Sequence, residues 1–218
     1  MRRNLRSCLP LLPLMIFLLA GCATNRGIVS IDVPHDETAA AQQNGPTVYI
    51  QSVEDQRIFQ DHPKTQDIPS LGFGGLEKAD EAIKKRAIAR KRNSFGKALG
   101  DILLEEGQTV ETVIADSLRQ AFTEKGYQVI ENREDISDDT IVVNAAIKKF
   151  WAYMTPGFWA ITLSCDIATD IELISDSNIQ KQISVHSDGK YQVGTEDNWM
   201  EVINITIKKY IDKVKEEI

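Results

Sequence analysis

Between Trp159 and Leu173 the chain alternates more regularly than anywhere else along its length. Trp159, Ile161, Leu163, Cys165, Ile167, Thr169, Ile171 and Leu173 share one face, and Thr162, Ser164, Asp166, Asp170 and Glu172 share the other. A period of two, with one side apolar and one side polar, marks a strand of an antiparallel sheet that has a core face and a solvated face. At ~3.3 Å per residue the run would extend about 50 Å, beyond the usual strand, which predicts a bulge or bend within it. The turn Asp176-Ser177-Asn178 leads into a partner strand through Ile183 and Val185 toward Tyr191 and Val193. Further strands are predicted at Thr47–Val53, Tyr127–Ile130 and Ile141–Trp151.

Two stretches change to the helical period. Val110, Val113, Ile114, Leu118, Ala121 and Phe122 fall on one face, with Thr109 placed to cap the start and Gly126 where a left-handed residue ends a helix. Near the C-terminus, Trp199, Val202, Ile203, Ile207, Tyr210, Ile211 and Val214 form another apolar stripe opposite Lys208, Lys209, Asp212, Lys213, Lys215 and Glu216. Residues 54–75, with Pro63, Pro69 and Gly72-Phe73-Gly74-Gly75, read as a long loop, and 76–93 read as helical and charged. The economical fold is α+β: a two-layer sandwich, an antiparallel sheet with two amphipathic helices on one face.

The N-terminus follows a different pattern. After Arg2, Arg3 and Arg6, residues Leu9 to Leu19 are apolar apart from Pro10 and Pro13. That run is about half of the ~20 residues a membrane-spanning helix needs, so it reads as a signal-peptide core. Leu19-Ala20-Gly21-Cys22 then resembles a bacterial lipobox. The resemblance implies cleavage before Cys22 and a lipid on its thiol, and Ala23 at the next position implies export to the outer membrane. The alternative is an uncleaved anchor, or a plain signal peptide with a chance cysteine. Acyl chains at ~0.8 kcal/mol per buried CH₂ hold a protein on a membrane almost permanently. The expected organisation is a signal peptide over 1–21, a lipidated N-terminus and flexible tether over 22–45, and one periplasmic domain over 46–218. Within the tether a short extended piece is expected at Ile28–Val33, and within the domain residues 71–107 form a loop and charged-helix insertion.

Charge narrows the partners. Removing residues 1–21 leaves 22 basic against 32 acidic residues, which argues against a general nucleic-acid binder. Of three cysteines only Cys165 would remain unmodified, so no intramolecular disulfide can form and packing must supply stability.

Several of these segments together are similar to the YajG-like family of bacterial lipoproteins. They are the lipobox, Val48–Val53 with Asp55-Gln56-Arg57, the passage SLRQAFTEKGYQV (117–129), the long alternating strand ending in Asp170-Ile171-Glu172-Leu173, and the closing helix. The resemblance implies a periplasm-facing lipoprotein with no agreed active site. Residues 71–107 extend beyond the short members of that family. In element order the chain also resembles, more weakly, lipoprotein auxiliary components of lipid-transport systems.

The candidate chemistry is sparse. His35, His62 and His186 have no metal-ligand neighbour at helical or finger spacing, and there is no CxxC. No cofactor or metal is expected. Cys165 points to the core as an inert thiol rather than a nucleophile. The glycine cluster at 72–75 lacks the GKS/T of a phosphate loop. Asp55 and Arg57 fit a pair that fixes a strand exit better than a ligand site. Lys84, Lys85, Arg86, Arg90, Lys91, Arg92 and Lys97 fall within fourteen residues that contain no acid. They form either a docking surface for an anionic lipid, a glycolipid or an acidic partner, or a solvated helix face balanced by the acidic turn at 131–139. Trp151, Tyr153, Phe158 and Trp159 crowd the turn at Thr155-Pro156-Gly157, either packed beneath the helices or exposed as a contact tip. The expected function is non-enzymatic: a lipid-anchored outer-membrane protein, facing the periplasm, with a protein partner in the envelope and contacts at the basic segment and the aromatic turn. The alternative is an auxiliary component that holds a lipid or amphiphile between sheet and helices. An envelope enzyme, the third class, would need a convergent acid, base and nucleophile.

Overall fold

The computed structural model describes residues 26–34, 44–72, 75–93 and 97–218. Cys22, the rest of the N-terminal segment and Phe73-Gly74 of the glycine cluster lie outside the described residues. Strand β6 (Ile141–Thr155) is the spine of the sheet. Along one edge it pairs antiparallel with β7 (Ile161–Ile174), which pairs antiparallel with β8 (Asn178–Tyr191). These three long strands realise the alternation seen in the sequence.

The other edge is shared by two strands in succession. β2 (Thr47–Asp55) runs parallel to β6 from Val48↔Ile141 to Asp55↔Ile147 and carries the short parallel β5 (Gln128–Ile130) outside it. Beyond the end of β2, β3 (Ala87–Arg92) takes its place, with Ala89 opposite Ala152. Outside β3 lie the antiparallel β4 (Ala98–Leu104) and then β1 (Gly27–Val29), parallel to β4. The purely antiparallel sheet expected from the alternation is therefore corrected to a mixed eight-stranded sheet among the described residues. The reason is connectivity. The long crossover through residues 105–140 returns the chain beside β2 in the same direction, which alternation along a single strand cannot encode.

Two helices cover one face, as expected. α2 (Val110–Glu124) starts at a capping box in which Thr109 and Thr112 exchange side-chain-to-backbone bonds, and Gly126 follows it with φ 92°. α3 (Glu196–Glu217) starts at the equivalent box of Thr195 and Asn198. Their apolar stripes and the inner face of the sheet form one core, with Phe122, Ile147, Phe150, Ile167 and Tyr210 all fully buried. Within it the Tyr210 hydroxyl finds the Thr169 hydroxyl at 2.9 Å, which satisfies both groups.

The predicted irregularity is present, but in the neighbouring strand. β7 pairs with β8 without interruption, whereas β6 slips by one residue between Ile147 and Lys149. One extra residue reverses which side chains face in. Val143, Ala145 and Ile147 point to the helices before the slip, and Phe150, Ala152 and Met154 do so after it. Trp151 is thereby sent to the opposite face, which is why it does not pack beneath the helices.

That opposite face is not left wholly to water. Trp151, Leu71, Ala87 and Leu103 make a second small core, with Phe59, Leu76, Ala79, Ile83 and Tyr153 against it. The covering segment, 56–86, includes a single 3-10 turn at Leu76–Lys78 and a short helix, α1 (Glu81–Arg86). The charged helix expected over 76–93 gives way at Ala87 to strand β3, and farther along the insertion Ala98–Leu104 form β4. Helix propensity is overridden because Ile88 and Ala89 gain full burial by pairing, while arginine and lysine stems lie along the sheet. The tether expected over 22–45 is corrected in the same way for residues 26–34. Beyond β1, Ile31 and Val33 sit in the main core, and the Gln108 side chain clamps both backbone groups of Ile31.

Candidate contact surface

The strand exit at Asp55 is fixed by a buried pair. The Arg57 guanidinium donates to both Asp55 carboxylate oxygens at 2.8 Å and to the carbonyls of Ala87, Phe150 and Lys84. One side chain therefore ties β2, α1, β3 and β6 together. Asp55-Gln56-Arg57 is a structural clasp.

The basic segment is dispersed by the same folding. Lys84 pairs with Glu81 at 2.6 Å, and Lys85 pairs with Glu111 at 2.9 Å. Arg86 donates to the Leu104 carbonyl. In β3 the direction of the side chains alternates. Lys91 lies on the helix side near Glu196 at 3.7 Å, whereas Arg90 faces Asp101 in register across the strands. Arg92 reaches Ser70, and burial, with Arg90 close by, lowers its pKa. Asp101 itself is fully buried. It accepts the Gly72 amide at 2.9 Å and lies 3.6 Å from Arg26. Burial raises its pKa, and these favourable neighbours only partly offset that. These six cations are thus divided between faces and largely engaged within the molecule, which is not the geometry of one docking patch, while Lys97 is exposed.

The aromatic residues also part company. Trp151 is fully buried, donates from Nε1 to the Gln66 carbonyl and meets the Phe59 ring edge-on. Tyr153 is half-buried with the Lys149 ammonium 5.9 Å from its ring centre. Phe158 and Trp159, by contrast, are 89% and 82% exposed. They pack edge to face with ring centres 4.8 Å apart in the turn between the long antiparallel strands β6 and β7. An apolar pair of this size held out at a hairpin end is, among the described residues, an exposed hydrophobic feature that calls for a partner.

Strand pairing gathers one further cluster that periodicity left scattered. On the sheet face away from the helices, Asp166 accepts from His186 at 2.6 Å and from Lys149 at 2.8 Å, and Lys149 also reaches Asp67 at 3.1 Å. Burial works to lower the Lys149 pKa, but the two carboxylates outweigh it and hold it above its ordinary value. The other His186 ring nitrogen lies 3.7 Å from Asp188, so both nitrogens meet carboxylates. The polar alternation of β7 pointed to Asp166, but only register brings His186 and Lys149 to it. Farther along this face a trough of about 540 Å³ is lined mostly by polar side chains, among them Gln51, Glu54, Asn144, Asp170 and Gln182. It is open to solvent and does not lie between sheet and helices. Cys165 is buried, with its pKa pushed up to about 12 by that burial. Among the described residues no group of three or more histidine, cysteine or acidic side chains is placed to hold a metal ion, and no helix is long and apolar enough to cross a membrane.

No protein-family model matches the chain, and no curated protein matches it. Among solved structures it is similar to an uncharacterised protein at 10% identity, with a TM-score of 0.51, over 88% of this chain and 97% of that one. A DUF330 protein of Xanthomonas campestris gives 11% identity and a TM-score of 0.49, over 88% of this chain and 93% of the other. A minor lipoprotein of Acinetobacter baumannii gives 12% identity and a TM-score of 0.36, over 50% of this chain and 85% of that one. At such identities a likeness speaks to the fold alone, and the first of the three carries it.

Proposed function

We propose that this protein is a YajG-like envelope lipoprotein, anchored at Cys22 in the outer membrane, that works by contact rather than catalysis. The observation that supports the reading best is the exposed Phe158–Trp159 pair. A domain of this size has no folding reason to hold two aromatic rings, packed edge to face, in water at the end of a long hairpin. The contact surface is accordingly the hairpin end rather than the basic segment, most of whose charges are engaged within the molecule. The trough on the polar sheet face offers a lipid tail few apolar walls, so the amphiphile-carrier reading gains nothing from it.

The test is site-specific photocrosslinking in cells, with the probe at position 159 and a control at Ile205, an exposed residue of α3. Adducts with envelope components from position 159 but not 205 are expected. Equal or absent adducts would remove the hairpin end as the contact surface. Replacing Cys22 with serine should leave unprocessed precursor, and a mature chain of unchanged mass would remove the anchor.

A further inference from the structure

The register of the sheet says where the N-terminal segment leaves the domain. Gly27 pairs with Ile102, Ile102 with Ala89, and Ala89 with Ala152, so Gly27 stands at the level of Ala152 on the central strand. β1 is parallel to β4, β4 antiparallel to β3, and β3 parallel to β6, which makes β1 antiparallel to β6. The N-terminal end of β1 therefore points in the direction in which β6 proceeds past Ala152, toward the Phe158–Trp159 turn. The strand twist of about 20–25° per step turns this direction by roughly 60–75° over three steps, which still leaves it on the same side of the sheet.

The lengths agree. Thr155, the last residue of β6, is three residues past Ala152, or ~10 Å, and the aromatic turn stands just beyond it. Cys22 is five residues before Gly27, and whatever path those residues take they span at most ~17 Å. The sideways distance from β1 to β6 is three strand spacings, ~14 Å. A lipid on Cys22 thus holds a bilayer within reach of the aromatic turn. Among the described residues, a further exposed apolar side chain at this end is Val193, 62% exposed, just past the point where Tyr191 of β8 pairs with Ile161. Lys97 and Lys190 are exposed here too, and the acids at this end include Asp188 and Glu196, the latter beside Lys91.

We propose that the Phe158–Trp159 turn seats in the lipid headgroup region of the same leaflet that carries the Cys22 lipid, as a second, non-covalent foot of the domain. The inference rests on the lipid-anchor reading above. Indole and phenyl rings suit this position because tryptophan has an apolar body and one N–H that stays wet at the interface. The covalent anchor also keeps the bilayer at high effective concentration beside the turn, so modest apolar burial is enough to seat it. The sheet then stands with its hairpin end toward the membrane, and the edge of β8 and the polar trough face the periplasm.

The experiment uses the full lipidated protein reconstituted in phosphatidylcholine–phosphatidylglycerol vesicles with brominated acyl chains, read by tryptophan emission. The chain has three tryptophans, and Trp151 and Trp199 are buried in the domain at 0% and 2% exposure, so Trp159 is the one that bromine can reach. Expected are a blue shift on reconstitution and quenching by bromolipid, both lost in Trp159→Phe, together with protection of Trp159 from aqueous iodide. Protein retained on the vesicles with Trp159 unshifted, unquenched and open to iodide would overturn the second foot and leave the anchor standing. Protein not retained at all would overturn both.

Discussion

Replacing Arg57 with alanine should be among the most damaging single changes in the described fold. The guanidinium is fully buried and makes five hydrogen bonds, two to Asp55 and three to the carbonyls of Ala87, Phe150 and Lys84. Alanine leaves the Asp55 carboxylate almost buried without its counter-charge and removes a donor from three carbonyls. Breaking a buried pair on one side costs about 3–5 kcal/mol. That is a large share of the ~5–15 kcal/mol that holds a typical domain together. With a urea m-value of about 2 kcal/mol per molar, the unfolding midpoint should fall by roughly 1.5–2.5 M. Equilibrium urea unfolding followed by tryptophan emission reads it, since Trp151 lies under the segment that Arg57 pins. Arg57→Lys restores the charge but not the two-pronged geometry and should recover only part of the loss. In a double-mutant cycle with Asp55→Ala, the second substitution should cost far less than it does alone. A loss below about 1 kcal/mol for Arg57→Ala would refute the clasp, because burial of this geometry cannot be that cheap to break.

The buried Asp101 carboxyl gives a pH prediction. Its pKa is raised by burial, so the native state holds the proton more tightly than the unfolded chain, and the contribution of this group to stability falls as pH rises from about 4 through the folded-state pKa. Wild type should therefore lose stability relative to Asp101→Asn as pH climbs through that window, and a constant difference between the two in urea titrations would count against it. Tyr210→Phe removes the buried partner of the Thr169 hydroxyl and should cost ~1–2 kcal/mol by thermal or urea unfolding, whereas adding Thr169→Val should return part of it. Cys165, whose thiol is pushed up to about 12, should resist a thiol reagent at pH 8 in the native lipidated protein and react promptly in denaturant. Fast labelling of the native state would show that the core beneath α3 opens readily.

The amphipathic elements were legible in the chain itself. Each carries its own instruction, a period of 3.6 or 2 with a cap or turn at its end, and these local signals act over a few residues. Thr109 and Gly126 bounded α2, and the alternation of Leu163 to Leu173 defined β7 and its inner face. The same signals put both helices on one side of the sheet. The decisions that local pattern left open all depended on partners distant in sequence. Ala87–Arg92 is a strand because β4 and β6 stand on either side of it, not because of its composition. The one-residue slip in β6 sent Trp151 to one core and left Phe150 in the other. Lys149, Asp166 and His186 meet only through strand register, and Arg90 and Lys91 part because a strand sends alternate side chains to opposite faces. Sequence fixes which face of an element is apolar, since that depends only on spacing along the backbone. Which elements adjoin, and in which direction they run, is settled by closing the chain around a shared core, where one residue of register changes the environment of every side chain beyond it.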